Sequence, residues 1–271
     1  MMYKPIINAL CLKALSLNQT YYFGFSDKGE SLPLHDYNSS AWIAVSSYNY
    51  ANDNNTTQAN RFNYPNSKTK SFKLRTQKLA VRQLCYHLIS ELIKGLKFKP
   101  INALKIEVLK THSIKLLEDS YPFRLLPFNY YVCFSHSDDM IACAIHKNLP
   151  IGIDLETNQI SSLIAKRFYT KDENQWILGL SSKEQPVALK ILWMLKEASI
   201  KLYNYKEANL ISGLNKNLLI QAQHLMPEDI INIKKDLSIF HSNDKKSNIK
   251  SIQLENATYL YIASKNLVAI W

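Results

Sequence analysis

Two acidic motifs in the second half of the chain hold residues that can do chemistry. Ile151-Gly152-Ile153-Asp154-Leu155-Glu156 closes an apolar run on two carboxylates. Such a run reads as a strand, and residues two apart on a strand point the same way, so Asp154 and Glu156 share a face. Further on stands Trp193-Met194-Leu195-Lys196-Glu197-Ala198-Ser199-Ile200-Lys201. Its pattern is helical, and Trp193, Glu197 and Lys201, spaced four apart, form one stripe. Brought together, the two elements offer three carboxylates to one hard cation and hold an ammonium beside it. That set suits a magnesium-dependent reaction on a phosphate ester. Each motif alone also has a plainer reading. Asp154 and Glu156 are compatible with exposed residues opening a loop. Glu197 and Lys201 are compatible with a surface helix pair contributing about 0.2–0.5 kcal/mol. Trp193 suits a core. From the residues alone, each motif favours its plainer reading.

The elements that must position these residues follow from periodicity and punctuation. Tyr130 to Phe134 and Ile141 to Ile145 read as strands, and Asn148-Leu149-Pro150 as a short turn into the Asp-x-Glu strand. Thr170-x-x-Glu173 and Ser182-x-x-Gln185 are capping boxes that open helices, with Pro186 in the first turn of the second, where its missing N–H is harmless. In the first half, residues 50–60 are polar and read as a loop. A long amphipathic helix is expected from about Phe72 to Leu96, with Ile101 to Leu109 alternating like a strand. Tyr259 to Ala263 and Leu267 to Trp271 are strand-like. Each half is thus expected to hold one long helix and several strands, an α+β arrangement. We divide the chain into an N-terminal lobe, 1–147, and a C-terminal lobe, 148–271, that carries the metal site.

A chain of 271 residues can bury a substantial core. No stretch is long and apolar enough to span a membrane. Met1 to Leu17 is apolar but interrupted by Lys4 and Lys13 and lacks a small-residue cleavage site, so it reads as part of the fold. Cys11, Cys85, Cys133 and Cys143 have no C-x-x-C spacing, which argues against a zinc site or a disulfide scaffold and fits a reducing cytoplasm. The 33 Lys and Arg outnumber 22 Asp and Glu, for a formal charge of +11. Such a surface favours an anionic partner without naming it: nucleic acid, an acidic protein or a phosphate-rich cofactor. A solvated basic face is the plainer account.

The two acidic motifs resemble those of the 4′-phosphopantetheinyl transferases, specifically the long, pseudo-dimeric type that activates peptide synthetases. Phe134-Ser135-His136-Ser137 resembles the family's Ser-His-Ser segment, with Cys133 where Asn is usual. Ile164-Ala165-Lys166-Arg167-Phe168-Tyr169 resembles its Ala-x-Arg-Phe-Phe stretch. The resemblance is specific from about residue 130 to 203. It implies two similar lobes, each a long helix on a small, mainly antiparallel sheet, with a cofactor cleft between them. It implies coenzyme A as donor, an apo acyl or peptidyl carrier protein as acceptor, and Mg²⁺ held by Asp154, Glu156 and Glu197. Asp154 and Lys201 also face the cofactor, Lys201 at the transferred phosphoryl group, and Glu197 or a metal-bound water takes the carrier serine's proton. Ser135 and His136 are assigned to the 3′-phosphate of coenzyme A, as are Arg75 and Thr76 at the start of the long first-half helix. The sequence departs from the family at Ser120-Tyr121-Pro122, where Gly-Lys-Pro is usual, and Arg124 is the expected substitute for that phosphate-binding lysine. A Gly-rich turn also usually follows the second motif, but Asn204 to Asn209 lacks Gly.

The stretch Ile160 to Leu180 mixes apolar residues with Lys166, Arg167 and Lys171, which suits docking of an acidic carrier helix. A connecting helical hairpin with Ile164, Phe168 and Trp176 in the core fits the same residues. The chain is expected to act as a cytoplasmic monomer without nucleic-acid or membrane partners. Two rivals remain: a metal-dependent phosphodiesterase or nuclease, and a non-catalytic carrier-binding module. The helical spacing of Glu197 and Lys201 argues against the first. The serines lack a G-x-S-x-G elbow, which argues against nucleophilic hydrolysis.

Overall fold

A computed structural model describes residues 15–36, 38–50, 66–96, 114–119, 121–203, 216–227, 249–254 and 257–271. Of the expected polar loop at 50–60, Tyr50 instead ends a strand and the rest lies outside the described residues, as do the expected strand at 101–109, Cys11, Ser120, the segment 204–209 and residues 1–14 of the apolar start.

Two antiparallel sheets organise the chain. The first contains β1 (Leu15–Phe25), β2 (Ser31–Leu32), β3 (Ala41–Tyr50), β4 (Lys115–Leu117), β5 (Phe123–Leu126), β6 (Tyr130–Ser137) and β7 (Met140–His146), in the order β2-β1-β3-β7-β6-β5-β4. The second contains β8 (Gly152–Leu155), β9 (Ile249–Leu254), β10 (Ala257–Ile262) and β11 (Leu267–Ile270), in the order β8-β11-β10-β9. The helices are α1 (Asn66–Leu96), α2 (Ser162–Phe168), α3 (Lys171–Gly179), α4 (Gln185–Tyr203) and α5 (Leu219–Leu225). Among the described residues, no helix is long and apolar enough to cross a membrane.

Strand alternation produces the layers. On β3, Ala41, Ile43 and Val45 turn to one side while Trp42, Ala44 and Tyr48 turn to the other. The second set joins Ala80, Val81, Leu84 and Leu88 of α1 in one core. The first set meets Ile151, Ile153 and Leu155 and the inner residues of β10 and β11 in another. A third core lies between the far side of the second sheet and α4, through Ala188, Ile191, Leu192, Leu195 and Ala198. These α4 residues recur at helical spacing, so one face is buried along the whole helix. The layers run helix, sheet, sheet, helix, and burying both faces of each sheet explains why β7 and β8 are buried almost throughout.

Several expected elements appear with shifted edges. The long first-half helix begins at Asn66, ahead of Phe72. The Thr170–Glu173 capping box is present in both directions. The second expected box moves back one residue: the Glu184 carboxylate accepts from the Ser181 backbone N–H at 2.8 Å, in place of a Ser182–Gln185 pair. Adjacent serines satisfy the same pattern, and the helix starts at Gln185 with Pro186 in its first turn, as expected. In the 160–180 hairpin, Phe168 and Trp176 pack against the core. Leu163 and Leu178, however, are 73% and 76% exposed.

Candidate active site

The site forms where the edge strand β8 meets β6 and α4. The β6–β7 hairpin turns tightly at Asp138-Asp139, with Asp138 left-handed at φ 52°, a conformation Asp tolerates better than most residues. This places Ser135 and Ser137 beside β8. Gly152 lets α4 come close: a Cβ there would lie 2.0 Å from the backbone oxygen of Ala198. Asp154, two residues on, therefore looks toward the helix that carries Glu197 and Lys201.

A buried network fixes the Asp154 end. Lys201 Nζ donates to Asp154 Oδ1 at 2.7 Å, to the Ile153 carbonyl at 3.0 Å and to Ser135 Oγ at 3.2 Å. These three acceptors match the three donors of an ammonium. Ser135 Oγ in turn donates to Asp154 Oδ1 at 2.9 Å and accepts from the Leu155 backbone N–H at 3.1 Å. Glu156 lies one residue past β8, where its N–H still pairs with the Asn266 carbonyl at 3.1 Å. Its Oε1 accepts from Ser137 Oγ at 2.7 Å and from the Asn158 backbone N–H at 2.8 Å. One oxygen of each of these carboxylates is thus anchored. Asp154 Oδ2 and Glu156 Oε2 carry no hydrogen bond among the described residues.

A cavity of about 640 Å³ opens over this network. Asp154, Glu156, Glu197, Lys201, Trp193 and His136 all line it, so the two acidic motifs and the histidine share one wall. The carboxyl groups of Asp154 and Glu197 are pushed above their usual range, first by burial and then by neighbouring carboxylates, with Lys201 working the other way. Burial opposes charge on Lys201, but Asp154, Cys133 and Glu197 outweigh it and hold the ammonium above its ordinary value. Crowded carboxylates of this kind are relieved by a cation. Among the described residues no group of three or more His, Cys, Asp or Glu is drawn together tightly enough to hold a metal ion by itself. Mg²⁺ commonly takes only one or two carboxylates and completes its shell with water and substrate phosphates. The open oxygens of Asp154 and Glu156 fit that demand.

The residues expected at the 3′-phosphate scatter. His136 lines the cavity, and burial, with Lys201 and Lys78 nearby, lowers its pKa and favours the neutral imidazole. Ser135 also lines the cavity, but its hydroxyl is committed beneath Asp154 and Lys201. Arg124 points elsewhere: its guanidinium donates to the Asn129 carbonyl at 3.1 Å and covers the Tyr131 ring at 3.3 Å. Arg75 is exposed and Thr76 buried on α1, and neither lines the cavity. Position 121, where the family lysine is missing, puts a tyrosine in the cavity wall.

One supporting pair was not visible in the sequence. Lys196, adjacent to Glu197, is fully buried and meets Glu173 at 2.9 Å. It also donates to the Lys216 carbonyl at 2.7 Å, while Glu173 accepts from the Leu218 N–H at 2.8 Å. Burial pushes the Lys196 amine down, partly offset by Glu173. The pair sets the rotation of α4, with Lys196 inward and the Trp193–Glu197–Lys201 stripe toward the cavity. A lysine within an otherwise apolar helix face was its only sequence signal.

Residues 150–257 match the 4′-phosphopantetheinyl transferase superfamily. Over 99 residues the chain is 32% identical to the 4′-phosphopantetheinyl transferase gsp of Aneurinibacillus migulanus, covering 35% of this chain and 41% of that protein. It is 37% identical over 75 residues to psf-1 of Bacillus pumilus, covering 27% of this chain and 32% of that protein. It is 44% identical over 68 residues to Sfp of Bacillus subtilis, covering 25% of this chain and 30% of that protein. The matched segments span less than half the length of each relative. The second half of this chain thus bears out the resemblance to the 4′-phosphopantetheinyl transferases, and to those of the Sfp type.

Proposed function

We propose that the protein transfers 4′-phosphopantetheine from coenzyme A to a serine of an apo acyl or peptidyl carrier protein, releasing 3′,5′-ADP. The observation that carries this reading is the shared wall of Asp154, Glu156, Glu197 and Lys201 over one cavity. The carrier serine oxygen forms a bond to the β-phosphorus, the bridging P–O bond breaks, and the electron pair leaves on 3′,5′-ADP. Asp154 and Glu156, through their open oxygens, would hold Mg²⁺ together with substrate oxygens, with Glu197 on the same cavity wall, and the ion would offset charge on the pyrophosphate. Glu197, its carboxyl pushed above the usual range by burial and by Asp154, accepts the serine proton. Lys201 holds Asp154 in place and adds positive charge beside the transferred group. The two sheets with their helices form the pair of lobes, and the cavity between them takes the cofactor. Incubation with labelled coenzyme A, Mg²⁺ and a panel of apo carriers tests the reading. Label should appear on a carrier serine; no label on any carrier, or hydrolysis of a phosphodiester instead, overturns it.

The carrier docks on α2 and α3. Leu163 and Leu178 give an exposed apolar centre, and Lys166, Arg167 and Lys171 give a basic rim. Rim charges act chiefly on association rate and its salt dependence. Reversing Lys166 and Arg167 to Glu should raise the carrier KM, flatten its salt dependence and leave the coenzyme A KM nearly unchanged. A carrier KM and salt slope that do not move place docking elsewhere.

Gly152 supplies a test of geometry. Gly152→Ala puts a methyl 2.0 Å from the Ala198 oxygen, a backbone atom, so α4 must retreat from β8. A shift near 1 Å in catalytic groups costs about 100-fold in rate. The variant should show that order of loss with a lowered melting temperature. Parental kcat would mean that the close approach does not position Glu197 and Lys201.

A further inference from the structure

We infer that Lys78, on α1, supplies the cation for the 3′-phosphate of coenzyme A, in place of both the absent family lysine and Arg124. This rests on the proposed function above. Among the described residues, the cations lining the cavity are Lys78, Arg82 and Lys201. Lys201 has its three donors filled within the protein. Arg82 is held by Glu118, through Nε at 2.9 Å and a second bond from Nη2, and its guanidinium lies over the Phe134 ring at 5.9 Å. Lys78 is exposed at the cavity, and no carboxylate is paired with it among the described residues.

Its placement matches the need. Lys78 acts electrostatically on His136, helping to keep that imidazole neutral. A neutral imidazole offers one N–H to a phosphate but no charge. A dianionic phosphate there needs a positive partner, and charge-assisted bonds are about twice as strong as neutral ones. Glu118 and Asp119 line the same cavity, so an anion entering without a free cation would be repelled. The ammonium of Lys78 and the N–H of His136 together form a two-point grip, with α1 and β6 contributing one residue each.

The test compares coenzyme A with 3′-dephospho-coenzyme A by calorimetry on the full chain and on Lys78→Gln, Lys78→Arg and His136→Ala. Lys78→Gln should weaken coenzyme A by about tenfold or more, the usual cost of losing a bond to a charged group. Its affinity for the dephospho analogue should not change, and Lys78→Arg should retain most of the parental preference. His136→Ala should behave as Lys78→Gln does. By NMR, Lys78→Gln should also raise the His136 pKa, which checks their proximity independently of ligand. Equal weakening of both cofactors, or no weakening of either, overturns the assignment of Lys78 while leaving the proposed function standing. A parent protein that binds neither cofactor overturns the proposed function, and this inference with it.

Discussion

Asp154→Asn should lower the rate of the proposed phosphopantetheine transfer by about a thousandfold, the equivalent of ~4 kcal/mol in the barrier. The substitution keeps the size of the side chain and an acceptor for Ser135 Oγ, which now lies 2.9 Å from Oδ1. It removes the charge that faces Lys201 at 2.7 Å and one of the oxygens proposed above to hold Mg²⁺. Asp154 is 6% exposed. The change is therefore felt by the fold as well as by the reaction, because a largely buried ammonium is left opposite a neutral amide. A lower melting temperature is expected, and the rate comparison belongs well below it. Transfer at the parental rate by the folded variant would remove Asp154 from the reaction.

Glu197→Gln should lower kcat by about a hundred- to ten-thousandfold, the range of a positioned base, with little change in the coenzyme A KM. In the metal-free protein, burial and then Asp154 raise the Glu197 pKa. The same shift has a consequence for stability. Burial disfavours the carboxylate, so the folded pKa lies above the unfolded value of about 4.3. The stability that goes with the neutral form is complete below the unfolded pKa and is lost as pH rises through the folded pKa. In metal-free buffer at pH 7, Gln in place of ionised Glu197 should therefore raise the melting temperature, and the gain should close toward pH 4. An unchanged kcat would leave Glu197 as a partner of Lys201 alone. An unchanged melting temperature would mean that its ionisation is not opposed by the fold.

The parts of this protein that its sequence determines by itself are those held by contacts between near neighbours. Alternation over 130–134 and 141–145 marks β6 and β7 because each side chain's face depends on its parity alone. The same parity puts Asp154 and Glu156 on one side, and a four-residue repeat puts Trp193, Glu197 and Lys201 on one stripe of α4. The Thr170–Glu173 capping box is equally local. A helix start with Pro186 in its first turn was legible, but the choice between Ser181 and Ser182 was not, since both fit the pattern. The remainder depends on partners far apart in the chain. Ser135 and Lys201 meet across the junction of the two sheets, and the serine expected at a phosphate also hydrogen-bonds Asp154. Arg124 turns to the Tyr131 ring next to it in the sheet, while Lys78, unremarkable in sequence, faces the cavity from α1. Glu173 serves two ends: its cap is local, but its bond to Lys196 exists only because α3 and α4 pack together. Short-range hydrogen bonds and side-chain periodicity specify elements. Which cation is left free to meet an anion is set by burial and competing acceptors, and these arise only once the layers of helix and sheet have closed on one another.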